Sequence, residues 1–133
     1  MIAINDLTST AREYLRAAKL LRTRRSYDVA TYLCGYSVEI ALKARICRAL
    51  KWTSGFPDTP AEFKTKANLK THDLEALLEY TAIQDKVKLQ YFTDWATVNT
   101  WKPEQRYSPP GTKTLSQTND MIQATQNLLR ILQ

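Results

Sequence analysis

Four residues have side chains and positions suited to chemistry. His72 is the only histidine in the chain, and its near-neutral pKa suits either proton transfer or the holding of an anion. Glu39 and Lys43 stand at i and i+4 inside the run Val29–Leu50, where apolar residues cover almost the whole circumference of the predicted helix, the acid first, which is the favourable order for a helical pair. Charges in such surroundings need partners, so the two either form an ion pair that pins helix packing or line a cleft. Arg106 precedes Tyr107 in a segment bounded by Pro103, Pro109 and Pro110, a loop that prolines hold in shape. Its planar guanidinium matches phosphate geometry. A lone histidine is also a common packed structural residue, and both readings of His72 stand.

Other chemistries find no support. Cys34 and Cys47 fall on one predicted helix, about 20 Å of rise apart, so they cannot bridge each other. They read as buried, reduced thiols. There is no glycine-rich phosphate loop, no GxSxG, no HExxH and no aspartate cluster, so neither a metal nor a cofactor is expected.

The elements that must position these residues are helices. With 44% apolar and 24% charged residues in 133, the chain is expected to fold as a single domain over 1–133. Three glycines and five prolines leave too few turn residues for a hairpin-rich β fold. The proline-free stretches predict helices at about 6–24, 26–51, 72–82, 84–101 and 113–132, with loops around 52–71 and 102–112. In the first, Leu7, Ala11, Tyr14, Ala18 and Leu21 share a face opposite Arg12, Arg16 and Lys19. The second, with Ser26 as N-cap, is apolar around almost its whole circumference and should run through the middle of the domain. Gly35 within it costs roughly 1 kcal/mol against alanine, so another group is expected to pass close by. Thr71 is placed to cap the third helix. Leu89, Phe92, Trp95, Ala96 and Asn99 form the predicted core face of the fourth. Met121, Ile122, Leu128, Leu129 and Leu132 form that of the fifth, which is open in part to a second subunit. No apolar run nears the roughly 18 residues of a membrane span, and the first residues lack a signal peptide's apolar core. No membrane association is expected, and the cytoplasm is the expected location.

Net charge is +6, and residues 1–52 carry all of it, with ten Lys and Arg against four Asp and Glu. The Arg12, Arg16 and Lys19 stripe is either a solvated face or a phosphate-contacting one.

Three segments together resemble the HEPN family, the higher eukaryotes and prokaryotes nucleotide-binding domains. They are Tyr27-Asp-Val-Ala-Thr-Tyr-Leu-Cys-Gly-Tyr-Ser-Val-Glu39-Ile-Ala-Leu-Lys43-Ala, then His72-Asp73-Leu74 heading a leucine-rich helix, then Arg106-Tyr107 after an aromatic helix. The resemblance implies an all-α fold, an up-and-down bundle of four to five helices, commonly homodimeric. It further implies a nucleotide or RNA ligand and a nucleotidyltransferase partner in a toxin–antitoxin-like pair. Many members are metal-independent RNases with an Arg-x(4–6)-His motif, in which arginine holds the scissile phosphate and histidine moves protons. This chain departs from that pattern: Thr65, Lys66 and Ala67 occupy the positions where the arginine would stand, and an ammonium does not replace its fork.

The reading that results is a nucleotide- or RNA-binding module that is non-catalytic or only weakly catalytic. Glu39, Lys43, His72, Arg106 and Tyr107 would form its site, and Arg12, Arg16 and Lys19 would add salt-dependent attraction. Two alternatives stand beside it. One is a metal-independent endoribonuclease in which His72 and Arg106 meet through space. The other is a structural protein-interaction module.

Overall fold

The computed structural model describes residues 1–133; its regular elements are all helical, with no β-strand beyond an isolated bridge between Ile2 and Phe56. Two long helices, α1 (Ile4–Thr23) and α2 (Tyr27–Ala49), form a hairpin across the short turn at Arg24–Ser26. Five more follow: α3 (Pro60–Phe63), α4 (Leu74–Leu78), α5 (Gln84–Gln90), α6 (Phe92–Val98) and α7 (Leu115–Leu132). Single 3₁₀ turns lie at Ala67–Leu69 and Pro103–Tyr107.

The apolar circumference of α2 makes it the axis of the bundle. No residue from Ala30 to Cys47 is exposed, and α1, α4, α6 and α7 all pack on it. Small residues let the first two helices approach closely: Ala11, Ala18, Ala30 and Ala41 are fully buried, and the Ser37 hydroxyl donates to the Ala11 carbonyl at 2.6 Å. Helix α7 opens with a capping box between Thr114 and Gln117. It buries the predicted face of Met121, Ile122, Leu128, Leu129 and Leu132. The buried apolar side chains form one cluster of 27 residues fed by α1, α2, α4, α5, α6 and α7.

Gly35 shows why the axis tolerates a glycine. A Cβ there would stand 2.1 Å from the indole of Trp101, so the ring occupies the space any side chain would need. The Trp101 Nε1 donates to the Tyr32 carbonyl at 3.1 Å, and this fixes the chain leaving α6 against the middle of α2.

Four expectations need correction. The predicted helix over 84–101 is two helices broken at Tyr91, whose backbone (φ −123°, ψ 33°) leaves the helical region. The break turns Leu89 and Phe92 outward, 82% and 70% exposed, while Trp95 and Val98 take the core positions. The predicted helix over 72–82 is helical only over Leu74–Leu78. Its cap is Asp73, whose carboxylate accepts from the N–H groups of Glu75 and Ala76, while Thr71 accepts from Asp73 one step earlier. Inside the expected loop, α3 forms on a capping box of Thr59 and Glu62 with proline at its start. On α1, Leu15 rather than Tyr14 completes the buried stripe, and Tyr14 is half-buried.

Candidate functional site

Glu39 is the centre of the polar arrangement. It is 1% exposed, and one oxygen, Oε1, accepts from Lys43 Nζ at 2.7 Å and meets His72 Nδ1 at 2.9 Å. The helical spacing brings the lysine there, and the Asp73 cap sets the chain that brings the histidine. The other oxygen, Oε2, is buried and has no partner. A carboxylate only accepts, so Nδ1 carries the proton in this contact. That orients the ring, and Nε2 is left without a protein partner. The imidazole is 57% exposed and borders an open cleft of about 470 Å³.

Arg106 borders the same cleft, with Lys102, Asp73 and Glu104 also on its walls. It sits on the 3₁₀ turn Pro103–Tyr107, which packs on α2. Its guanidinium lies over the Tyr107 ring at 4.8 Å from the centroid, and Tyr107 is exposed. The Tyr107 phenol, then that of Tyr32, raises the guanidinium pKa above its ordinary value.

Tyr36 connects the two halves. Its ring lies edge-on to His72 at 6.3 Å, to Trp101 at 5.3 Å and to Tyr32 at 5.2 Å. Burial, first, and then the hydrogen bond and charge of Tyr32 and the charge of Glu39 push its phenol up to about 12, against the opposing pull of Arg106. Both Glu39 and Arg106 are therefore close enough to act on one phenol.

The fold thus brings Lys43 and His72 onto one oxygen of Glu39 and puts His72 and Arg106 on one cleft, which Glu39, Lys43 and Tyr107 do not line. The first-helix stripe is not among the residues lining that cleft. Arg12 Nε donates to Gln133 at 2.8 Å, Arg16 binds Glu13 through both nitrogens of its edge, and Lys19 is half-buried. The sequence reading missed Tyr32, Tyr36 and Trp101. A signal for the tyrosines was present: Tyr32, Tyr36, Glu39 and Lys43 step along α2 at i, i+4, i+7 and i+11, which is one helix face. Trp101 carried none beyond the mid-helix glycine it covers.

The family comparison falls on this same scaffold. Residues 4–53 match the model of the HEPN domain family. The match supports HEPN family membership and spans α1 and α2, including Glu39 and Lys43. His72 and Arg106 lie beyond it, so their placement in this HEPN-like fold comes from the geometry above. No curated protein and no solved structure matches the chain. No helix is long and apolar enough to cross a membrane.

Proposed function

We propose that this HEPN-like chain binds a nucleotide or RNA in the cleft between His72 and Arg106, without catalysing its cleavage. One observation carries the reading: a buried carboxylate orients the only histidine toward an open cleft that also presents a guanidinium. Arg106 would take phosphate by its bidentate fork, and His72 Nε2 would meet a ribose or base edge. Lys43 does not line the cleft; it pairs with Glu39 at 2.7 Å and so acts on the site only through that carboxylate. The Arg12, Arg16 and Lys19 stripe would contribute screened, sequence-independent attraction. The non-catalytic reading rests on the missing motif: where the arginine of Arg-x(4–6)-His would stand, this chain has Thr65, Lys66 and Ala67, and an ammonium does not replace the guanidinium fork.

The family resemblance supports a homodimer acting beside a nucleotidyltransferase in a toxin–antitoxin-like pair, and the two free buried thiols of Cys34 and Cys47 suit the cytoplasm. Binding of labelled RNA at low salt tests the core of the proposal. Arg106→Ala is expected to lower affinity at least tenfold with an unchanged circular dichroism spectrum, and equal binding by both proteins would refute the site.

The contact between Glu39 and His72 favours a second reading, a metal-independent endoribonuclease. A carboxylate behind an imidazole is the arrangement that makes a general base. Cleavage of RNA by the purified protein but not by His72→Ala would establish it; equal cleavage by both would mark a contaminant.

A further inference from the structure

A second pocket of about 550 Å³ opens on the other side of Arg106, at the junction of the α1–α2 turn with the loop before α7. Arg25, Arg106 and Lys113 give it three cations, and Tyr27 and Tyr32 give it two aromatic rings. Its one acid is occupied. The Asp28 carboxylate accepts from the main-chain N–H of Gly111 at 2.8 Å and that of Lys113 at 3.0 Å, so it ties the loop down instead of opposing an anion. By contrast, the His72 cleft has two acids, Asp73 and Glu104, against Lys102 and Arg106. The second pocket is thus the more cationic of the two. It shares Arg106 with the first, and Tyr32 continues into the Tyr36 cluster beneath His72.

Resting on the binding reading above, we infer that the ligand is a single-stranded RNA segment laid across Arg106, with one nucleotide in the His72 cleft and the next in the pocket of Arg25, Lys113 and the two tyrosines. A mononucleotide would fill one compartment and leave the other empty. Cations that follow a backbone beside rings on which bases stack are what single-strand recognition requires.

The backbone at Arg25 makes a clean test available. Its φ of 62° is left-handed, a conformation that glycine adopts without strain, so Arg25→Gly removes the cation at no risk to the turn. Lys113→Ala likewise keeps the main-chain N–H that Asp28 accepts. Affinities of the full chain for AMP and for an oligoadenylate of roughly eight nucleotides are measured by competition and anisotropy. Each variant is expected to weaken the oligomer about three- to tenfold and to lower the salt slope by about one, with AMP binding unchanged. If both variants bind the oligomer like the wild type while Arg106→Ala does not, the ligand is confined to the His72 cleft and this inference fails while the binding site stands. If AMP affinity falls as far as that of the oligomer, the two compartments are one nucleotide site and the inference fails again. If Arg106→Ala changes neither ligand, it is the underlying binding reading that is lost.

Discussion

Two polar stripes run along the helical hairpin, and they have opposite fates. On α1, Arg12, Arg16 and Lys19 turn away from the core, and the two arginines are satisfied by Gln133 and Glu13 at the surface. On α2, Tyr32, Tyr36, Glu39 and Lys43 turn into the interior, where partners come from segments far along the chain: His72 on Glu39 and Trp101 against Tyr32 and Tyr36. In sequence, the first stripe is the more conspicuous because it carries more charge. In the fold, the second is the one that organises a cleft. Charge density alone marks a face that prefers water, whereas isolated charges in an apolar helix mark a place where the fold must supply partners.

The sharpest way to break this contrast is to remove the buried acid. Glu39→Ala leaves Lys43 and His72 facing each other without the carboxylate and opens space in the core. Loss of one partner from a fully buried pair is worth roughly 3–5 kcal/mol; because Lys43 and His72 both reach solvent, about 2–3 kcal/mol is expected, read by urea denaturation. A loss near zero would mean that the acid is incidental to the bundle. Gly35→Ala comes next. It gains about 1 kcal/mol in helix propensity, yet forces the Trp101 indole out of the space it holds, an overpacking penalty of about 1–3 kcal/mol and sometimes more. A net loss of about 1–2 kcal/mol with altered tryptophan fluorescence is expected, and Trp101→Ala in the same chain should reverse the clash. A stabilised Gly35→Ala variant with unchanged fluorescence would place Trp101 elsewhere.

These two positions also show how far the sequence could be read. Gly35 announced a close neighbour, and Glu39 and Lys43 announced partners, because each violated the local rule for its helix. Their surroundings dictated the exception. The identity of the neighbours was not legible: Trp101 and His72 reach α2 from 66 and 33 residues along the chain from Gly35 and Glu39, and periodicity speaks only for residues on the same helix. The break at Tyr91 was hidden for a related reason. Nothing in Gln84–Val98 is a proline or glycine, and the pattern of apolar residues suits one helix as well as two. Only the packing of Trp95 and Val98 into the core decides the second axis, leaving Leu89 and Phe92 outside. The Thr59-Pro60-Ala61-Glu62 box of α3, in contrast, was fully visible and required only the capping pattern to find it.

The interior stripe should reveal itself again in alkali. Tyr36 ionises near 12 in the folded chain and near 10 when unfolded. Between those values the unfolded state releases a proton that the native state retains, so this tyrosine's contribution is complete below pH 10 and is lost as pH rises toward 12. Stability is therefore expected to fall over that window, and Tyr36→Phe to flatten the decline. An identical alkaline profile in the two proteins would show that the phenol is not held among Tyr32, Glu39 and Trp101.

The smallest effect belongs to the exterior stripe, and it completes the contrast. Replacing Arg12, Arg16 and Lys19 together by alanine should leave the melting temperature within error, since the exposed Arg16–Glu13 ion pair and the surface contact of Arg12 with Gln133 contribute little. Its influence on RNA should be confined to low ionic strength. Near 0.15 M salt the screening length is about 8 Å, and none of the three lines the cleft, so binding there should match the wild type. At low salt the triple variant should bind a few-fold more weakly, with a shallower dependence on salt. If affinity at 0.15 M falls as far as it does for Arg106→Ala, the RNA lies along α1. The roles of the two stripes would then be reversed: the buried acid would hold the bundle together, and the arginines of the surface would hold the ligand.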